Sequence, residues 1–129
     1  MRPLYMLDTS ACIQVLRGQA PFDAPPACKD TAVSSLVAAE LWTGVEKSGR
    51  PNKAAALDTF LNLFAVIDFG LEDARHYAQI RADLERKGTP IGPLDLLIAA
   101  QARNLGATLI TRNASEFKRV RGLKIQAWK

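Results

Sequence analysis

The chain has 129 residues, enough for one domain around one sizeable core. Apolar residues make up 48% and charged residues 23%, the profile of an ordinary globular protein, and no apolar run is long enough to span a bilayer. Lysine and arginine total 17 against 13 aspartates and glutamates, a net charge of +4 that permits a polyanionic partner without demanding one.

Residues 4–8, LYMLD, predict a buried strand whose carboxyl end carries Asp8. Thr9 and Ser10 are placed to cap a helix over 11–17, with Gly18 to end it. Residues 19–30 hold three prolines and no periodicity, the mark of a loop. A second strand at 31–35 passes into a helix capped by Ser34 or Ser35 and stopped by Gly49. Its apolar positions are Leu36, Val37, Leu41 and Val45. Glu40 falls on that stripe by helical spacing, or lies at its margin with its stem buried and its head in water.

Pro51 is suited to start a third helix reaching Phe64, followed by a strand at 65–69. Leu71 to Lys87 reads as a helix whose stripe includes Tyr77, Ile80, Arg81 and Leu84, closed by Gly88. Arg81 on that stripe is expected either to snorkel or to neutralise acids or phosphate. His76, the one histidine, falls off the stripe and reads as a solvated surface residue. A lone histidine argues against His-based metal or triad chemistry. Cys12 and Cys28 stand in no metal-type spacing and read as reduced thiols. With no signal-peptide apolar region near the start, they place the protein in the cytoplasm.

Gly92 to Ala102, GPLDLLIAAQA, predicts a helix that is apolar on nearly every side, opened by Pro93 and closed near Gly106. Asp95 in its first turn suits the helix dipole, yet its neighbours are Leu94, Leu96, Leu97 and Ile98. An unpaired carboxylate among them must sit near solvent, take up a proton or meet a cation. Residues 107–111 form a fourth strand, and 123–127 a last one. Between them, Asn113 and Glu116 fit a capping box for a short helix. Strands alternating with helices imply an α/β fold with a mostly parallel sheet and helices on both faces.

In such sheets the functional crevice lies at the carboxyl ends of the strands. Asp8, Glu40 and Glu116 map to that rim, and Asp95 joins them if the chain crosses back over the sheet. Several carboxylates at one place repel unless a cation lies between them. An all-oxygen donor set suits Mg²⁺ or Mn²⁺, and such ions promote phosphodiester hydrolysis. The basic residues crowding the last eighteen positions make nucleic acid the natural substrate.

Four landmarks occur in order: LDTS at 7–10, VAAEL at 37–41 with Gly44 after it, IGPLDLLIAAQA at 91–102, and GATLITRNASEFKRVRGLKI at 106–125. Together they resemble the PIN-domain toxins of bacterial VapBC toxin–antitoxin pairs, over essentially the whole chain as a single domain. The resemblance implies a PIN-like three-layer α/β/α sandwich and a metal-dependent endoribonuclease. It implies that Asp8, Glu40 and Asp95 hold Mg²⁺ or Mn²⁺. The fourth acidic position falls on Asn113 or Glu116, and Glu116 is the choice made here. Thr9 and Thr111 are candidates to orient ligands or water. Arg112, Lys118, Arg119 and Arg121 are candidates to steer phosphate. The resemblance further implies a structured RNA substrate such as tRNA, homodimerisation, and silencing by a cognate VapB-type antitoxin lying in an apolar groove to which Leu36, Leu41, Trp42 and Val45 contribute.

The alternative is a non-catalytic RNA-binding module on the same fold, against which the presence of Asp8, Glu40 and Asp95 speaks. An aspartyl-phosphatase reading needs an acid two residues after Asp8, where Ser10 stands. A response-regulator reading needs a lysine near residue 111, and none fits.

Overall fold

Five short parallel strands frame the protein in a computed structural model that describes residues 2–18 and 28–128. In chain order the elements are β1 (Tyr5–Leu7), α1 (Thr9–Leu16), β2 (Thr31–Ser34), α2 (Ser35–Ser48), α3 (Pro51–Leu61), β3 (Ala65–Ile67), α4 (Leu71–Lys87), α5 (Pro93–Leu105), β4 (Thr108–Thr111), α6 (Ala114–Phe117) and β5 (Lys124–Ala127). A 3₁₀ turn at Cys28–Asp30 leads into β2; the rest of the loop expected over 19–30 lies outside the described residues.

The strand order is β3-β2-β1-β4-β5. Leu7 pairs with Val33 on one side and Ile110 on the other, so β1 is central. From β1 the chain moves outward to β2 and β3, then jumps back across β1 to β4. Right-handed crossovers therefore put α1 to α3 on one face and α4 to α6 on the other. The packing agrees: α1, α2 and α3 touch one another, and α4 lies along α5. The expected α/β/α architecture is present.

The central strands are apolar on both faces, as buried parallel strands must be. Met6, Val33, Leu109 and Ile110 are wholly buried. In α5, Ile98, Ala99, Ala100 and Ala102 have no exposed surface, and the small alanines let the helix approach its neighbours closely. Gln101, also buried, donates from Nε2 to the carbonyls of Ile67 (3.3 Å) and Asp68 (3.1 Å). That contact holds the end of β3, an edge strand whose Ala65 and Val66 face solvent. Gly88 and Gly106 end α4 and α5 at φ of 68°, a left-handed turn that only glycine makes without a Cβ clash. Phe117 is the largest fully buried side chain and anchors the single turn of α6. Phe117→Ala is expected to cost about 3–5 kcal/mol, read as a lowered urea midpoint.

Several local expectations are corrected. The third helix stops at Leu61 rather than Phe64, with Asn62 as its cap, and β3 ends at Ile67 rather than at residue 69. Arg81 does not lie on the packed stripe of α4. It is exposed, and its guanidinium bonds Tyr77 Oη (3.2 Å) and Glu85 Oε2 (3.3 Å), both on its own helix. Only Asp73, Ile80 and Leu84 of α4 are buried, a stripe too narrow to include it. His76 is half-buried rather than solvated: its Nδ1 accepts from Arg103 Nε at 2.8 Å. Burial, then the Arg103 charge, holds the imidazole below its ordinary pKa. Arg103 also donates to Gln79 Oε1 (2.6 Å) and Arg121 O (3.1 Å), tying α4, α5 and the turn before β5 together.

Candidate active site

The direction of the connections reverses between β1 and β4, and the carboxyl ends of two such strands are where parallel sheets place their functional residues. Asp8 stands at the end of β1 and Thr111 at the end of β4. Asp8, not Thr9 or Ser10, caps α1: β1 ends one residue earlier than expected, so the helix begins at Thr9. Asp8 is 2% exposed, yet its carboxylate is well satisfied. Oδ1 accepts from Ala11 N (2.8 Å) and Ser10 Oγ (2.6 Å), and Oδ2 accepts from Thr111 Oγ1 (2.5 Å). The last of these bonds joins the two strand ends. Beneath Asp8, burial and the Asp8 charge push the Cys12 thiol far up, so this cysteine is not a nucleophile.

Asp95 is the third residue of α5, half-buried at the helix N-terminus. Gly92 is the cap of this helix and has no side chain to offer; Pro93 follows and has no N–H. Glu116 takes the other half of a capping box from a distance: its Oε1 accepts from the N–H of Gly92 itself at 3.1 Å. The capping box expected between Asn113 and Glu116 is therefore not formed, and Asn113 makes no side-chain bond to α6. A Cβ on Gly92 would stand 4.0 Å from Asp95 Oδ2, so Asp95 and Glu116 both lean on the same glycine. Glu40 projects from α2 into solvent rather than along the packed stripe, which is carried by Val37, Ala38 and Leu41.

Three of these acids act on the fourth. The Asp95 carboxyl is pushed up to about 6, first by burial, then by the charges of Glu116, Asp8 and Glu40. Acids from the β1–α1 junction, α2 and α6 thus bear on Asp95, which makes no ion pair among the described residues. Among the described residues no three such side chains close on a point tightly enough to hold a metal ion as placed. Glu116 is held on Gly92 instead. The chemistry of the donors fits a hard divalent cation, because all are carboxylate oxygens and their combined charge is uncompensated.

The remaining candidates divide. Thr111 touches Asp8 directly, as expected. Thr9 does not orient an acid: its Oγ1 is shielded from solvent and has no hydrogen-bond partner among the described residues. Asn113 contributes its backbone, donating N–H to Thr111 Oγ1 at 2.9 Å. Arg81 makes its bonds within α4 and stays out of the acidic cluster. Arg112, Lys118, Arg119 and Arg121 are all exposed, and Arg119 also donates to Pro90 O at 3.1 Å, just before Gly92. Of the groove candidates, Leu41 is buried, while Trp42 and Val45 are partly covered against the core. Sequence reasoning read Ser10 as a cap and missed its contact with Asp8. A hydroxyl two residues after the acid was the available signal.

The PIN domain family matches residues 5–123. The chain is 37% identical over 128 residues to a tRNA(fMet)-specific endonuclease VapC of Salmonella typhimurium, covering 96% of this chain and 97% of that protein. It is 37% identical over 131 residues to ribonuclease VapC2 of Rickettsia felis, covering 97% and 98% respectively. Its fold superposes on a crystal structure of DNA-bound VapBC from Salmonella typhimurium with a TM-score of 0.87, at 35% identity and full coverage of both chains. With acids gathered at the β1–β4 switch point, a fold shared end to end and identity above one residue in three, the chain belongs to the PIN-domain family, among its VapC ribonucleases.

Proposed function

We propose that this chain is a divalent-metal-dependent endoribonuclease, the toxin of a toxin–antitoxin pair, acting in the cytoplasm as a homodimer on structured RNA such as tRNA. One observation carries the reading: half-buried Asp95 feels the charges of three further acids, Glu116, Asp8 and Glu40, each from a different element. Asp8, Glu40, Asp95 and Glu116 would hold Mg²⁺ or Mn²⁺. When bound, the ion supplies positive charge that stabilises the phosphoryl transition state and acidifies water. Asp8 is fixed by three hydrogen bonds and so presents its carboxylate without reorganising. Asp95 is kept stationary by the buried residues that follow it in α5. Arg112, Lys118, Arg119 and Arg121 draw the RNA backbone toward the rim. In-line attack by water leaves a 5′-phosphate and a 3′-hydroxyl.

The Salmonella relative is named a tRNA(fMet)-specific endonuclease and the Rickettsia relative a ribonuclease, and the superposed structure is a DNA-bound VapBC. We therefore assign this chain a VapB-type antitoxin as partner. The test is to incubate metal-stripped protein with total tRNA, with and without Mg²⁺ or Mn²⁺, and to map the ends produced. Cleavage is expected only with metal, leaving 5′-phosphates. Undiminished cleavage in chelator, or 2′,3′-cyclic phosphate ends, would sink this mechanism. Expression is expected to arrest growth unless the antitoxin is made alongside.

A further inference from the structure

We infer that Ser10 and Thr111 are a matched pair of positioning residues that lock Asp8 to the corner between β4 and α6 and leave one lone pair of Asp8 Oδ2 open to the cation. Each hydroxyl does two things. Ser10 Oγ donates to Asp8 Oδ1 at 2.6 Å and accepts from Arg112 N at 3.1 Å. Thr111 Oγ1 donates to Asp8 Oδ2 at 2.5 Å and accepts from Asn113 N at 2.9 Å. Successive backbone N–H groups of the corner thus reach the two oxygens of one carboxylate, each through one hydroxyl. A hydroxyl that accepts a hydrogen bond is polarised as a donor, so each relay strengthens its bond to Asp8.

The directions are forced. An ionised carboxylate only accepts, so both hydroxyl protons point at Asp8, and the hydroxyl lone pairs are left for the amides. The carboxylate offers about four lone-pair sites. Ala11 N and Ser10 fill those of Oδ1, and Thr111 fills one of Oδ2. A cation held by Asp8 would find its free acceptor site on Oδ2. The same bonds fix the start of the segment that carries Arg112 and leads to Glu116. A displacement of that corner moves Asp8, and the reverse. The Asp8 N–H, bonded to Ile110 O at 3.2 Å, adds a third tie between the two strand ends.

The cation half of this inference rests on the metal-dependent reading above; the corner half does not. The experiment uses the full chain with Ser10→Ala, Thr111→Val and the conservative Thr111→Ser. Gln101→Leu serves as a variant destabilised away from the site. Amide hydrogen exchange is measured without metal, and Mn²⁺ affinity by calorimetry. Ser10→Ala is expected to speed exchange at Arg112, and Thr111→Val at Asn113, each several-fold. Each is expected to weaken Mn²⁺ binding roughly 10–100-fold, the usual loss when a group orienting a metal ligand is removed. Thr111→Ser restores both readouts, and Gln101→Leu lowers stability without moving Mn²⁺ affinity. Unchanged exchange at the paired amide overturns the lock. Unchanged Mn²⁺ affinity in Ser10→Ala and Thr111→Val overturns the positioning role. If the wild-type chain binds no Mn²⁺, the metal-dependent reading falls and the open lone pair with it, while the exchange result still decides the lock.

Discussion

Asp95→Asn is expected to abolish RNA cleavage and, without metal at pH 8, to make the protein more stable than wild type. The sign follows from linkage. Asp95 is raised from 3.8 to about 6 in the fold. Between those values the folded chain holds a proton that the unfolded chain has lost, so stability falls as pH rises through that window. Above about pH 6 the penalty is complete. A full shift of this size would correspond to about 3 kcal/mol at 1.36 kcal/mol per unit. Asp95 is only half-buried, and solvent screening reduces the figure to on the order of 1–2 kcal/mol. Asparagine also forgoes a favourable charge at the helix N-terminus, roughly 0.3–1 kcal/mol. The net gain at pH 8 is expected to be about 1 kcal/mol, and below pH 4 the two proteins converge. Saturating Mg²⁺ reverses the order, because a ligand that binds only the folded wild type stabilises it by mass action. Urea titrations at pH 4 and pH 8, with and without Mg²⁺, read all of this. An Asp95→Asn protein no more stable than wild type at pH 8 would mean that neither burial nor the neighbouring acids penalise the ionised Asp95.

The strand order could be reached only in outline from the sequence, but its parts were legible. Apolar runs ending in Asp8 and Thr111 marked β1 and β4, and Gly49, Gly88 and Gly106 marked three helix ends. What periodicity could not supply was how much of each helix is covered. Tyr77 and Leu84 put Arg81 on a helical stripe, yet α4 buries only a narrow line, and Arg81 turns outward to Glu85. For Glu40 spacing left two readings open, and the exposed side chain takes the one at the margin of the stripe carried by Val37, Ala38 and Leu41. Thr9 and Ser10 read as the caps of α1, but β1 lets go one residue early and Asp8 takes that place. Glu116 illustrates the limit most clearly. Its local partner, Asn113, lies three residues away, but its actual donor is Gly92, 24 residues away. The acid three residues after the cap, Asp95, does not take the Gly92 N–H, and only the tertiary fold brings Glu116 to it.

Asp8→Asn is expected to fail in activity as Asp95→Asn does, but with the opposite change in stability. Three donors aim at Asp8, two at Oδ1 and one at Oδ2. An asparagine oxygen in the Oδ1 place keeps the cap of α1, since asparagine caps helices as well as aspartate does. Its NH₂ then faces Thr111 Oγ1, a donor set against a donor. Thr111 must turn its proton away while still accepting from Asn113 N, and in this position, fully buried, the proton finds no acceptor. An unsatisfied buried donor costs about 1–3 kcal/mol. Removing the Asp8 charge relieves Asp95, for which Asp8 is a lesser cause than burial or Glu116, and offsets a fraction of that cost. The variant is expected to be destabilised by about 1–2 kcal/mol at pH 8. Cleavage is expected to fall by at least roughly 10²–10³-fold, the equivalent of several kcal/mol of lost charge stabilisation. Adding Thr111→Val to Asp8→Asn removes the misplaced hydroxyl, so the double variant is expected to be more stable than the sum of the single losses allows. A simple sum of the two losses would show that the Asp8–Thr111 bond between the two strand ends contributes nothing to the fold.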